Sequence, residues 1–294
     1  MDKEKLPNNI EQEFAIEQQV YQTAIDAGIS ASRLVMRYWP NPNNPDFDKD
    51  LSLGVVEKVG AGNYATIADI ESEKIIIESI KNEPLFKGHR IIAEESDEIT
   101  GNSEWQWIID PIDGTPPFKN GLPEFGISIG ALYGQEPRVG VILMPVQKQL
   151  IAAKRGQGVK LLSFDGEVLA DLSQKRESPP IDKALIGYDL GYKGRSEQLS
   201  SIVSKIADKI GYPVSYGSSS TANFRLAQGL ISGYFCQTPT KFDIGAATAI
   251  ISELGGVVTN MQGQPIDWQK ESTSYLATLD PNIHRELLKI LNSK

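Results

Sequence analysis

Trp107-Ile-Ile-Asp110-Pro-Ile-Asp113-Gly-Thr115 is the stretch on which the reading of this 294-residue chain turns. An apolar run that closes on Asp reads as a buried strand delivering a carboxylate at its C-terminal end. Pro111 and Gly114 predict a tight turn that brings Asp113 back beside Asp110. Two carboxylates held that close repel unless a cation or a shared proton lies between them. Oxygen-only ligands of this kind suit Mg²⁺, which keeps part of its shell for water and substrate phosphate. The turn also exposes backbone N–H groups at Gly114 and Thr115, a ready anion cradle. The same residues equally fit an Asx-type turn after an edge strand, so the two aspartates alone leave both readings open.

On either side the pattern is mixed. Apolar positions Phe14, Val20, Ala24, Ile25, Ala31, Leu34, Val35 and Tyr38 predict a helix over 11–38, stopped by Pro40. A second helix is predicted over 67–81, with Asp69 and Glu73 on one face. Short β-like runs follow at 90–93, 105–109, 125–133, 138–144 and 150–153. Gly134-Gln-Glu-Pro137 predicts a hairpin between the third and fourth of these. After Ser173 the texture changes: helices are predicted at 196–210, 220–230 and 242–254, and strands at 184–187, 214–216 and 257–259. The polar stretch 173–180 is the expected boundary. The expected organisation is α+β, with 1–178 a metal-binding part on an antiparallel sheet, 179–294 a smaller α/β part, and the active site between them.

Composition excludes several classes. With 40% hydrophobic and 23% charged residues the chain can bury a substantial core. A formal net charge of −9 argues against a general nucleic-acid binder, whose affinity comes from Lys and Arg on phosphates. The one cysteine, Cys236, permits no intrachain disulfide framework and suits a reducing compartment. The polar N-terminus lacks the apolar core of a signal peptide, and no window approaches the roughly 18 apolar residues of a membrane span. A cytoplasmic protein with no membrane partner is expected.

Further acids surround the opening motif. Ile91-Ile-Ala-Glu94-Glu95 is a second apolar strand ending in carboxylates, and Asp243 follows Phe242 at the start of a predicted helix. Solvated glutamates and a helix-capping aspartate are the plain alternatives. Taken together, four segments resemble the inositol monophosphatase family of metal-dependent, lithium-sensitive phosphatases. They are Ala68-Asp69 with Glu73, Ala93-Glu94-Glu95-Ser96, Asp110-Pro-Ile-Asp113-Gly-Thr115, and Phe242-Asp243-Ile-Gly-Ala with Glu253-Leu-Gly-Gly256. Their order is the family's, and the likeness runs from about residue 15 to 290.

The resemblance implies a layered α/β/α/β/α sandwich of the sugar-phosphatase type, a homodimer, and two or three Mg²⁺ per active site. It implies metal ligation by Glu94, Asp110, the Ile112 carbonyl, Asp113 and Asp243. It assigns Asp69, Glu94 and Thr115 to catalysis, with Asp69 and Thr115 holding the attacking water. Gly114, Thr115, Ser219, Cys236 and Asp243 are the implied substrate contacts. The implied reaction is hydrolysis of a small phosphorylated metabolite, an inositol or sugar phosphate, by metal-activated water. A 3′,5′-bisphosphate nucleotidase, a histidinol phosphatase and an inactive metal- or phosphate-binding homologue are the alternatives. Four positions depart from the family pattern, among them Ala93, where Gly is usual. Pro116-Pro117 follow the Asp-Gly-Thr, and Cys236 stands where inositol-cleaving members place a glutamate that grips sugar hydroxyls. Asp189, Lys193, Arg195 and Arg225 are candidate contacts to a leaving group or second phosphate.

Rival chemistries fit less well. Cys236 is followed by Gln-Thr-Pro-Thr-Lys-Phe, without the arginine of a cysteine-phosphatase loop, and reads as a small packed residue. His89 and His284 have no partner at metal-ligand spacing and are expected at the surface or at helix ends. Asp46-Phe-Asp48-Lys-Asp50 places Leu51 where a calcium loop needs Gly, and reads as a mobile charged loop.

Overall fold

The apolar residues of the first helix recur every three or four positions, and the structure buries them on one stripe. Val20, Ala24, Ala27, Ala31 and Val35 of α1 (Asn8–Tyr38) are at most 2% exposed. The computed structural model describes residues 8–57, 64–174, 177–189 and 196–293. A two-residue ribbon, β1 (Val56–Glu57) and β2 (Tyr64–Ala65), leads into α2 (Ile67–Lys81). Among the described residues no helix is long and apolar enough to cross a membrane.

Helices α1 and α2 cover one face of a seven-stranded sheet. Its strands are β3 (Arg90–Ala93), β4 (Trp105–Asp113), β5 (Gly126–Tyr133), β6 (Glu136–Met144), β7 (Gln149–Lys154), β8 (Val159–Ser163) and β9 (Val168–Asp171), neighbours in that order. The predicted hairpin joins β5 to β6. The expectation of an antiparallel sheet needs one correction, since β3 runs parallel to β4. Both faces of the sheet are buried, which is why its central strands read as continuous apolar runs rather than alternating ones. Trp107, Ile109, Val141 and Leu143 face α1 and α2, while Ile108, Ile142 and Met144 face the other way.

The second face carries α5 (Ser219–Ala227) and α6 (Lys241–Glu253). Beyond them lies a five-stranded sheet in the order β11-β10-β12-β14-β13. These strands are β10 (Leu185–Asp189), β11 (Tyr212–Val214), β12 (Gly233–Cys236), β13 (Val257–Thr259) and β14 (Tyr275–Thr278). Strand β10 is parallel to both β11 and β12, and the remaining pairs are antiparallel. Its outer face packs on α4 (Ser196–Ala207) and α7 (Pro281–Leu291). The layers therefore run α/β/α/β/α.

Close approach between the layers depends on small residues. A Cβ on Gly130 of β5 would lie 2.8 Å from the Ala246 nitrogen, and one on Gly245 would lie 3.2 Å from Ile108 Cγ2. Gly130 and Gly245 thus let α6 rest directly on the large sheet, and its first turn, with Asp243, falls beside the end of β4.

Several expected bounds shift. The strand expected at 214–216 lies at Tyr212–Val214, and β4 extends past 109 to Asp113. Strands β8, β9, β12 and β14, the short helix α3 (Thr115–Lys119) and α7 were not anticipated. Their apolar segments are short or interrupted, so periodicity carries little signal there. Loop 41–50 is fastened rather than free: Asn44 Nδ2 donates to the Met36 and Trp39 carbonyls, and Arg37 pairs with Asp48 at 2.8 Å.

Candidate functional site

The parallel strands β3 and β4 end side by side, Ala93 opposite Ile109, so Glu94 and Asp110 emerge at one edge of the sheet. The expected tight turn between Asp110 and Asp113 is not there. The chain stays extended, and the pairing steps from Asp110 opposite Ser128 to Asp113 opposite Gly126. Pro111 and Ile112 on β4 therefore face only Ile127 on β5, a bulge with one extra residue. In a regular strand positions i and i+3 point to opposite faces. The extra residue cancels that alternation, so Asp110 and Asp113 reach the same space. With Asp243 they form a cluster whose ligand oxygens lie within 4.8 Å of one another. The turn itself comes one residue later, at Gly114, where φ is +94°. A Cβ there would stand 2.8 Å from the Glu124 carbonyl oxygen and 2.9 Å from Ser218 Cβ, so only glycine fits.

Asp113 is held from behind by the N-terminus of α5. Ser218 Oγ donates to its Oδ2 at 3.1 Å, the Ser219 N–H reaches its Oδ1 at 3.3 Å, and the Ser220 N–H also donates to Oδ2. The Ile112 N–H donates to Asp110 Oδ1 at 3.0 Å. Pro116 and Pro117 fall in the first turn of α3, where N–H groups have no intrahelical acceptor in any case. Proline there stiffens the turn without breaking the helix.

Asp69 and Asp243 each occupy the third position of a helix behind a threonine cap. The Thr66 N–H and hydroxyl donate to Asp69 Oδ2 at 2.8 and 2.5 Å. At α6 the Thr240 N–H and hydroxyl donate to Asp243 Oδ2 at 2.5 and 2.9 Å. The plain capping role thus holds for one oxygen of each carboxylate. The other oxygen of Asp69 lies 3.2 Å from Thr115 Oγ1, whose hydroxyl is also 3.2 Å from the Ile112 carbonyl.

A cavity of about 360 Å³ opens over this cluster. Glu94, Asp110, Ile112, Asp113, Gly114, Thr115, Ser219, Cys236 and Asp243 all line it, and Asp69 stands behind Thr115. Burial, reinforced by Glu94, Asp113 and Asp243, pushes Asp110 well above the usual carboxylate range. Burial and the neighbouring Asp113 and Glu94 do the same for Asp243. Asp69 rises to about 6, chiefly by burial and against the pull of its Thr66 bonds. Five carboxylates line the cavity, and no Lys, Arg or His stands among the described residues that line it. A hard divalent cation with all-oxygen ligands fits that donor set.

Other candidates fall elsewhere. Glu73 accepts the Glu95 N–H at 2.7 Å and so anchors the turn after β3. Arg225 stacks over the Tyr216 ring at 4.7 Å and does not line the cavity. Lys193 and Arg195 lie outside the described residues. The histidines correct the surface expectation, for both are buried. His89 accepts from Trp107 Nε1 at 3.2 Å and stacks on Phe86, while His284 bridges Thr259 and Thr278 at 2.9 and 3.2 Å. Neutral imidazole rings with polar partners are readily buried, which spacing along the chain does not reveal. Ser218 and Tyr234 were not foreseen. The Thr-x-x-Asp spacings 66–69 and 240–243 were a readable sign of capped carboxylates.

Comparison with known proteins finds relatives along nearly the whole chain. The profile of the Inositol monophosphatase family matches residues 16–294. Inositol-1-monophosphatase of Bacillus subtilis is 30% identical over 241 residues, 81% of this chain and 87% of that protein. Nus factor SuhB of Haemophilus influenzae is 34% identical over 203 residues, 68% of this chain and 72% of its own. In fold, the suhB protein of Bartonella henselae superposes with a TM-score of 0.80 at 24% identity, covering 94% of this chain and 99% of that one. With the match spanning nearly every layer and both sides of the carboxylate cavity, the chain belongs to the inositol monophosphatase family.

Proposed function

We propose that this protein is a Mg²⁺-dependent phosphate monoesterase acting on a small sugar or inositol phosphate. The observation that carries the reading is the cluster of Asp110, Asp113 and Asp243 in a cavity whose described lining holds no basic side chain. The name of the Bacillus relative supports the same class.

Glu94, Asp110, Asp113, Asp243 and the Ile112 carbonyl would hold the metal. Bound there, the ions supply Lewis-acid activation of water and neutralise charge on the phosphoryl group and leaving oxygen. Asp69 Oδ1 turns the Thr115 hydroxyl, leaving an oxygen lone pair of Thr115 to accept from the attacking water. The N–H groups of Gly114 and Thr115 hold the phosphate oxygens, a role that the left-handed Gly114 makes sterically open. Ser219 and Cys236 border the leaving group. A homodimer in the cytoplasm, with inhibition by millimolar Li⁺, completes the proposal.

Phosphate release from sugar, inositol and histidinol phosphates, nucleotide monophosphates and 3′,5′-bisphosphates with excess Mg²⁺ tests it. Turnover on a sugar or inositol phosphate is expected. A silent panel would leave the inactive-homologue reading, and a preference for 3′,5′-bisphosphates or histidinol phosphate would move the assignment within the family.

A further inference from the structure

Asp189 and Cys236 are register partners at the C-terminal ends of the parallel strands β10 and β12. Paired positions in a sheet project to the same face, and both residues line the cavity. Cys236 offers only a weakly polar thiol. Asp189 offers a carboxylate one strand away.

That carboxylate is fixed by neutral donors. Its Oδ1 accepts from Ser215 Oγ at 2.8 Å and from the Gly217 N–H at 3.1 Å, and its Oδ2 accepts from the Tyr234 hydroxyl at 3.1 Å. Two acceptor directions per oxygen leave one vacancy, on Oδ2. The Tyr234 hydroxyl also meets Ser219 Oγ at 2.7 Å, and the Ser219 N–H reaches Asp113 Oδ1 at 3.3 Å. Asp189 is thereby tied to the metal-cluster aspartate through a short chain of hydrogen bonds. A second polar group belongs to the same cavity, since Thr238 lines it and its buried hydroxyl has no partner among the described residues. The same cavity also presents Pro116, Pro117, Pro239 and Tyr188.

We propose that Asp189 is the specificity-determining acceptor of this site: it takes a leaving-group hydroxyl near the ester carbon, with Thr238 beside it, and so selects monophosphates of polyols and sugars. The C–H faces of such a leaving group suit the prolines. The inference rests on the phosphatase reading above and deepens it.

The test uses the full chain with Mg²⁺ and a matched series: glycerol 1-phosphate, propyl phosphate and ethanolamine phosphate. Wild-type kcat/KM is expected to be highest for glycerol 1-phosphate. In Asp189→Asn the ratio of glycerol to propyl phosphate should fall about tenfold or more, as expected for a lost hydrogen bond to a charged acceptor. A purely structural role would lower all three substrates in proportion and leave that ratio unchanged, which overturns the proposal. If that variant does not fold, Thr238→Val and the wild-type series still decide, and equal wild-type rates on glycerol and propyl phosphate overturn the assignment. A wild-type preference for ethanolamine phosphate overturns it in favour of a cationic substrate. Silence on all three and on the sugar and inositol phosphates fails the phosphatase reading itself, an outcome distinct from turnover without a hydroxyl preference.

Discussion

Asp69 and Asp243 share one geometry on two different helices: each returns its Oδ2 to the threonine three residues earlier and keeps its Oδ1 out of that cap. The capping bond fixes the carboxylate's rotation, so the remaining oxygen is aimed by the helix itself. At Asp69 it is aimed at Thr115. Asp69→Asn keeps the size and one acceptor but removes the basic oxygen. The expected result is a kcat loss of about a hundredfold or more, in the range of a lost general base. Circular dichroism melting should show little change, and a variant with near wild-type kcat would remove Asp69 from the mechanism.

Buried carboxylates that face one another, as Asp110, Asp113 and Asp243 do, repel and strain the fold, so metal should stabilise it. Saturating Mg²⁺ at about 100 times its Kd adds about 2.7 kcal/mol. For a chain of this size that corresponds to a rise in Tm of roughly 4 °C. Asp243→Asn should reduce the rise, and calorimetry with and without Mg²⁺ checks both. An identical Tm in EDTA and in millimolar Mg²⁺ would contradict the assigned cluster.

Gly130 carries α6 against the large sheet, with only 2.8 Å between a Cβ built there and the Ala246 nitrogen. Gly130→Ala must push α6 outward and Asp243 with it. A loss of about 1–3 kcal/mol is expected from overpacking. The Mg²⁺ concentration for half-maximal rate should rise at the same time. Urea unfolding and a metal titration of the rate measure the two effects, and a stable variant with unchanged metal dependence would show that the layer contact does not position Asp243.

His89 and His284 are buried, and burial lowers both to about 4. The unfolded imidazole titrates near 6.5, so the unfolded chain binds more protons between those values. Their contribution to stability is fully present above about pH 6.5 and is lost as pH falls towards 4, at about 1.4 kcal/mol per pH unit for each ring. His284→Gln should flatten the fall of Tm between about pH 6.5 and 4.5 relative to wild type. Parallel curves for the two proteins would show that His284 does not carry that dependence.

The carboxylates themselves were legible in the sequence, because an apolar strand that ends in Asp or Glu states where its acid goes. Asp110, Glu94 and the capped Asp69 and Asp243 could all be placed on their elements. The geometry between Asp110 and Asp113 was not legible. Pro111 and Gly114 suggested a turn, whereas pairing with β5 keeps the chain extended and inserts a bulge, a choice made by a partner strand rather than by local residues. Ser218 and Tyr234 escaped notice for a related reason: a serine or tyrosine becomes part of a site only through what the second sheet brings beside it. The layered architecture followed from the family resemblance. The close contact of α6 with β5 follows from Gly130 and Gly245, whose meaning appears only once the two elements are seen together.

The most direct test is the initial rate of phosphate release as Mg²⁺ is raised from an EDTA-treated start, in wild type and in Asp113→Asn. The account predicts no release without the metal, a saturable rise with it in the wild-type protein, and a rate lower by about a hundredfold or more in the variant. Equal release in EDTA, or a variant that keeps the wild-type rate, would contradict it.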